Sequence, residues 1–337
     1  MTIRELAKAA GVSTATVSRM LNKNGFVSKE AEEKINAAMK ANNFNSEKRT
    51  TRRASNDENS NQLNFTMLWT SDIRDSMTAT GHEMMLGITD TLRSTGANLV
   101  VDYIDPNGDI PKCLTETGCD GVFLHGGKLP KHLAELVKKT PTVWLLQAGD
   151  TEYGDRVQPD HWKIGLNAYE HLKSQNCKHV CCISHKLSSI SPPYWQSRLE
   201  GFSHAASFGA IKYSIIKTED LGASTSPENI SKAAIEVVNS FEELSPRPDG
   251  LFITNALGPY INAELTRRGT IPMKDIYMIS GDMDSYGQFI DTETIKIDIQ
   301  AREIGKLAAE AMLLRLKSPD MDKIKYITET KLLSSNE

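Results

Sequence analysis

The 337-residue chain has no run of about 20 uncharged apolar residues, so no membrane-spanning helix is expected. Its first residues, Met1-Thr2-Ile3-Arg4-Glu5, are charged early and lack the apolar core of a secretory signal, which points to a cytoplasmic protein. Cysteine is scarce: Cys113, Cys119, Cys177, Cys181 and Cys182 form no C-x-x-C pair and have no accompanying histidine spacing. Reduced thiols are expected, and no metal site. Adjacent Cys181 and Cys182 should face opposite sides of a strand. Catalytic signatures are also missing. There is no G-x-S-x-G, no P-loop and no G-x-G-x-x-G after a strand-like segment. His125-Gly126-Gly127 resembles an oxyanion loop without a partnered nucleophile. An enzyme is not expected, and no cofactor is implied.

What is present is a charge asymmetry. Residues 1–53 hold 11 Lys and Arg against 5 Asp and Glu, a net of +6, while the remainder holds 28 against 38, a net of −10. A basic end on an acidic chain suits contact with a polyanion, although a solvated basic face gives the same count.

Residues 2–44 read as three short helices. Thr2 and Glu5 make a T-x-x-E capping box, and Ile3, Leu6, Ala7 and Ala10 recur at helical spacing. Gly11 ends this helix and Val12 follows as a buried turn residue. Ser13 caps a second helix with Val17, Met20 and Leu21 inward, and Asn22-Lys23-Asn24-Gly25 breaks it. Ser28 caps a third, whose apolar face holds Ala31, Ile35, Ala38 and Met39. The outward residues of the second helix are Thr14, Ala15, Thr16, Ser18 and Arg19, which are short or flexible. Such residues fit a helix that enters the major groove.

The run Ile3 to Asn22, continuing through Val27-Ser28 to Asn43-Phe44, closely resembles the head of LacI/GalR-family repressors. The resemblance implies that Thr14, Ala15 and Arg19 read bases and that Ser13, Thr16 and Ser18 contact phosphates, with Asn22 closing the matched segment. Double-stranded operator DNA is the implied partner, bound by a homodimer on a pseudo-palindromic site.

The linker departs from the family. Ser46 and Glu47 replace the usual Pro-Asn, and Arg53 stands where a minor-groove wedge Leu belongs. Arg49, Arg52 and Arg53 suit a narrow minor groove or phosphates instead. Residues 55–62 are wholly polar and read as a flexible tether.

From Leu63 onward, short apolar runs alternate with helical stretches, the pattern of parallel sheets covered on both faces. The expected architecture is a small all-α helix-turn-helix head plus a two-lobed α/β sensor, similar to periplasmic binding proteins. Its expected parts are a head over 1–45, a linker over 46–62, an N-terminal lobe over 63–158 and 294–319, and a C-terminal lobe over 159–293 and 320–337. The chain is expected to cross between lobes near Val157–Asp160, Asp291–Ile295 and Pro319–Lys323.

Ligands of such sheets sit beyond the carboxyl ends of the strands. Ser71, Asp72, His125, Gln147, Asp160, Trp162 and Trp195 fall there. Resemblance adds Arg198, from an Arg-x-x-Gly-Phe segment, together with Asn255, Asp282 and Asp284. For each a structural role is the alternative, loop packing for the tryptophans and an interior position for His125. The expected effector is a sugar. A nucleoside or purine, or a protein corepressor, is the alternative, and so is a metabolite sensor acting through protein partners.

Overall fold

The computed structural model describes residues 3–14, 16–17, 20, 27–41, 62–70, 78–104, 110–115, 118–126, 129–146, 152–186, 194–219, 226–255, 257–281 and 294–333. The chain divides into two compact units, Met1–Asn61 and Gln62–Glu337.

In the first unit, α1 (Ile3–Ala10) and α2 (Lys29–Ala41) flank a stretch in which Thr14, Thr16, Val17 and Met20 are helical. Helical spacing gathers Leu6, Ala7, Ala10, Val17, Ile35 and Ala38 into one buried cluster. Gly11 adopts φ +63°, which lets the Val12 amide reach back to the Ala7 carbonyl at 3.0 Å. Ser13 Oγ accepts from the Thr16 amide at 3.1 Å, and Ser28 Oγ from the Ala31 amide at 3.3 Å. Each satisfies a helix-start donor that would otherwise have no partner.

The second unit begins with β1 (Asn64–Trp69), α3 (Ala79–Arg93), β2 (Asn98–Tyr103), α4 (Lys112–Thr115), β3 (Gly121–His125), α5 (Lys131–Val137), β4 (Thr142–Leu145) and β5 (Asp155–Pro159). It continues through α6 (His161–Ser174), β6 (His179–His185), α7 (Tyr194–Phe208), β7 (Lys212–Thr218), α8 (Pro227–Glu242), β8 (Gly250–Ile253), α9 (Gly258–Arg267) and β9 (Tyr277–Ser280). It ends with β10 (Ile295–Asp298), α10 (Ala301–Lys317), β11 (Lys325–Thr328) and β12 (Lys331–Leu333).

Two sheets result, ordered β11-β5-β4-β3-β1-β2 and β12-β10-β9-β8-β6-β7. The ladders of the first are parallel, and in the second only the β10–β12 pair is antiparallel among the described residues. Both faces of each sheet are buried, so the strands read as continuous apolar runs. Phe65, Met67 and Trp69 join the core that holds Met84 and Met312, while Leu68 joins Val122, Leu124 and Leu133 on the opposite face. Cys182 packs in the cluster of Tyr169 and Phe202, and Cys181 in that of Val238 and Ile261. The two thiols therefore face opposite sides, as the strand period requires, and all five cysteines are unbridged.

The later crossings differ from the sequence expectation. Ile295–Asp298 was expected to return to the first lobe but pairs with β9 in the second sheet. Burying Ile295 and Ile297 there extends that sheet by one strand before the chain leaves it. Likewise β11 pairs with β5 in the first sheet, although 320–337 was assigned to the second lobe. The chain thus changes sheet at Asp160, between Asp298 and Ala301, and between Thr328 and Lys331. These crossings are tied together. The Asp160 amide donates to Thr328 O at 3.3 Å, Gln300 Nε2 donates to Glu329 O at 2.6 Å, and Lys163 Nζ pairs with Glu329 Oε2 at 2.8 Å.

Each sheet carries one helix pair locked by glycine. A Cβ at Gly87 would lie 2.1 Å from Arg302 O, and one at Gly305 2.0 Å from Met84 O, so α3 and α10 touch backbone to backbone. The same holds for α6 and α7: a Cβ at Gly165 would lie 1.8 Å from Arg198 O, and one at Gly201 1.9 Å from Trp162 O.

Candidate functional site

In the head, Ser13 and Thr14 are exposed and Thr16 is half-buried at the start of the second helix. Ser13 Oγ and Thr16 Oγ1 lie 2.8 Å apart, so both hydroxyls already serve the cap. One hydroxyl proton is used in that contact, which leaves the other free to donate outward, as suits a phosphate oxygen. Ala15, Ser18, Arg19, Asn22, Arg49, Arg52 and Arg53 lie outside the described residues, as does the linker over 46–61.

The candidate effector site lies at the carboxyl ends of the strands. Arg198, on the first turns of α7, is 1 % exposed, and its Nη1 donates to the Thr254 carbonyl at 2.7 Å, just past β8. Gly281, just past β9, keeps that guanidinium's path open: a Cβ there would sit 3.2 Å from Nη1. Asn255 is 1 % exposed. Its Oδ1 accepts from the Leu257 amide at 3.1 Å, while its Nδ2 has no hydrogen-bond partner among the described residues.

Aromatic rings form one wall. Arg198 lies 5.4 Å over the Tyr194 ring. Tyr194 meets Trp195 edge-on at 5.2 Å and stacks on His161 at 5.1 Å. Trp195 in turn lies 4.5 Å from the His185 ring. On the first sheet, Trp69 and His125 end β1 and β3 with ring centroids 4.6 Å apart. Buried Trp69 Nε1, Trp195 Nε1 and His125 Nδ1 make no hydrogen bond among the described residues. Burial lowers the His125 pKa to about 4. Burial first, and the Arg198 charge second, hold His161 well below the usual histidine range, with a hydrogen bond to the Leu146 backbone opposing. Both imidazoles are therefore neutral near pH 7.

Of the residues expected from sequence, Arg198, Asn255 and Trp195 share the second lobe's wall, and His125 sits on the first lobe. Asp160 is occupied as the cap of α6, its Oδ1 accepting from the Lys163 amide at 3.0 Å. Trp162 does not join the wall. It is 40 % exposed and packs on His204 at 5.1 Å. The sequence places it three residues after the strand end, where α6 has already begun and turns it outward. Ser71, Asp72, Gln147, Asp282 and Asp284 lie outside the described residues. His161, His185 and Trp69 were not singled out, whereas the sequence already paired Tyr194 with Trp195 as a strand-end candidate. The available signal was position, since all three stand at or just past the carboxyl end of a strand.

Two family models match: "Bacterial regulatory proteins, lacI family" over residues 2–47, and "Periplasmic binding protein-like domain" over residues 169–333. The HTH-type transcriptional repressor PurR of Aliivibrio fischeri (strain MJ11) is 24 % identical over 335 residues, covering 96 % of this chain and 94 % of that protein. Among solved structures, the transcriptional regulator CelR–cellobiose complex aligns with a TM-score of 0.64 at 17 % identity, over 99 % of this chain and 98 % of that one. A LacI family transcriptional regulator from Enterococcus faecium with bound ribose aligns with a TM-score of 0.65 at 19 % identity, over 80 % and 97 %. A lacI-type helix-turn-helix head joined to a two-lobed periplasmic-binding-protein-like domain makes this chain a LacI-family DNA-binding transcriptional repressor.

Proposed function

We propose that this repressor acts in the cytoplasm as a homodimer on a pseudo-palindromic operator. Occupancy of the strand-end cleft by an uncharged planar heterocycle of the purine or nucleoside class sets its affinity for DNA. The observation that carries this reading is the wall formed by His161, Tyr194, Trp195 and His185 with buried Asn255 beside it. Flat rings stack on flat rings at 4.5–7 Å, and an amide pairs with ring nitrogens and carbonyls. The sequence expectation was a sugar, with a nucleoside or purine as the alternative. Sugars call for several carboxylates; Asp160 is engaged as a helix cap, and Asp72, Asp282 and Asp284 lie outside the described residues. The name PurR borne by the curated relatives points the same way.

A sugar is the second reading, supported by buried Arg198 and by the cellobiose- and ribose-bound proteins of the same fold. A thermal-shift panel of adenine, guanine, hypoxanthine, inosine, ribose and cellobiose separates them. The purine reading expects a base or nucleoside to raise the unfolding midpoint. A rise with ribose or cellobiose alone would replace it. The DNA half is tested by gel shift on the DNA upstream of this chain's own coding sequence, where binding should weaken steeply with salt.

A further inference from the structure

His161 is the first residue of α6, immediately after the first sheet crossing. It is 3 % exposed; one ring nitrogen makes a weak hydrogen bond to the Leu146 backbone, and neither nitrogen meets a partner at ordinary hydrogen-bond geometry among the described residues. An imidazole buried this way pays a desolvation cost that an apolar ring of similar size would not. Packing does not demand it: stacking on Tyr194 at 5.1 Å is a service that phenylalanine performs equally well. Its neighbours are the groups of the cleft wall. Tyr194 lies on one face, and the Arg198 guanidinium, itself over Tyr194, is near enough to disfavour a second cation. The backbone of Leu146, at the carboxyl end of β4 in the first sheet, approaches it as well. The ring therefore stands where the two lobes meet.

We propose that His161 is a specificity-determining ligand of the effector, donating or accepting one hydrogen bond to an uncharged polar atom at the lobe junction. The proposal rests on reading the cleft as the effector site. It adds the residue that selects the ligand and the polarity the ligand must show there. Because the ring is neutral and Arg198 is close, a cationic group at that position is rejected, whereas a ring nitrogen, amide or hydroxyl is accepted. Contact at the crossing would also link occupancy to the angle between the lobes, because α6 begins there.

The test compares the full chain with His161→Phe and His161→Gln. Without ligand, His161→Phe should unfold at the same temperature as wild type or up to about 2 °C higher, because a buried polar ring held by only a weak hydrogen bond to the Leu146 backbone is removed. A lower midpoint would mean that the imidazole is structurally bonded and would overturn the proposal. Should the Phe ring prove too large to fold, His161→Leu carries the same comparison.

With ligand, the panel is adenine, guanine, hypoxanthine, inosine, ribose and cellobiose. Whichever compound shifts the wild type should bind His161→Phe about tenfold or more weakly, one hydrogen bond's worth, with partial recovery in His161→Gln. Undiminished binding by His161→Phe would overturn the proposal. If only a sugar binds, the purine reading fails and His161 is judged against that sugar. If none binds, the ligand-free midpoints decide.

Discussion

Gly165→Ala is the perturbation on which sequence and structure disagree in sign. Gly165 lies inside α6, and replacing a helical glycine by alanine ordinarily stabilises by about 0.5–1 kcal/mol. The structure forbids that gain. The new methyl would lie 1.8 Å from Arg198 O, 2.7 Å from the Phe202 amide nitrogen and 2.8 Å from the Arg198 carbonyl carbon, all backbone atoms that cannot rotate away. The two helices would have to part by about 1.4 Å to restore ordinary contact in an interior packed at crystal density. Overpacking on this scale costs about 1–3 kcal/mol. The expected net loss is thus about 2 kcal/mol, read as a lower urea midpoint of the sensor. The displaced residue is Arg198, whose guanidinium reaches Thr254 O at 2.7 Å, so effector binding should weaken along with stability. Operator affinity of the ligand-free protein should stay near wild type, because the head folds around its own cluster. A raised urea midpoint with undiminished effector binding would refute the backbone-to-backbone crossing.

Three further expectations concern other parts of the chain. His125, with a folded pKa of about 4 against 6.5 when exposed, contributes stability that is complete above pH 6.5 and is lost as the pH falls toward 4. Each unit in that window costs about 1.4 kcal/mol, so the urea midpoint should drop between about pH 7 and pH 5, and His125→Gln should flatten the drop. Asp155 is fully buried and held by Arg315 at 2.7 and 3.0 Å, and its Oδ1 also accepts from the Ile324 amide at 2.8 Å. Asp155→Ala leaves the Arg315 guanidinium its carbonyl acceptors but no counter-charge and should cost about 3–5 kcal/mol in urea unfolding, whereas breaking an exposed pair such as Lys34–Glu30 should leave the midpoint nearly unchanged. Arg52→Ala with Arg53→Ala should flatten the salt dependence of operator binding if the basic linker engages phosphates; an unchanged slope would assign those arginines no contact.

The strands that the sequence reveals are those buried on both faces. Phe65–Trp69, Gly121–Leu124, Val180–Ser184 and Gly250–Ile253 read as apolar runs because helices cover each side. β5 escapes notice because Asp155, Arg156 and Gln158 look like a loop, and because its carboxylate is buried only by virtue of Arg315, 160 residues away. β11 and β12 are short and largely exposed, so no periodicity marks them. The Arg-x-x-Gly-Phe segment was legible as a motif, yet the reason for its glycine was not. Gly201 is required by the carbonyl of Trp162 on a different helix. His161 was hidden by its neighbour. The tryptophan beside it drew attention as a stacking residue, while helix phase turned Trp162 outward and the histidine in.

The central claim is that a small planar effector in the strand-end cleft controls DNA binding by the head. The most direct measurement is a titration of operator binding, by fluorescence anisotropy at fixed salt, with and without hypoxanthine, guanine or inosine, run in parallel on wild type and Arg198→Ala. The account predicts that at least one of these compounds changes the wild-type operator Kd by about 5- to 150-fold, the range of ordinary allosteric coupling, and leaves Arg198→Ala unchanged. An operator Kd indifferent to all three, or an Arg198→Ala protein that responds as wild type does, would contradict it.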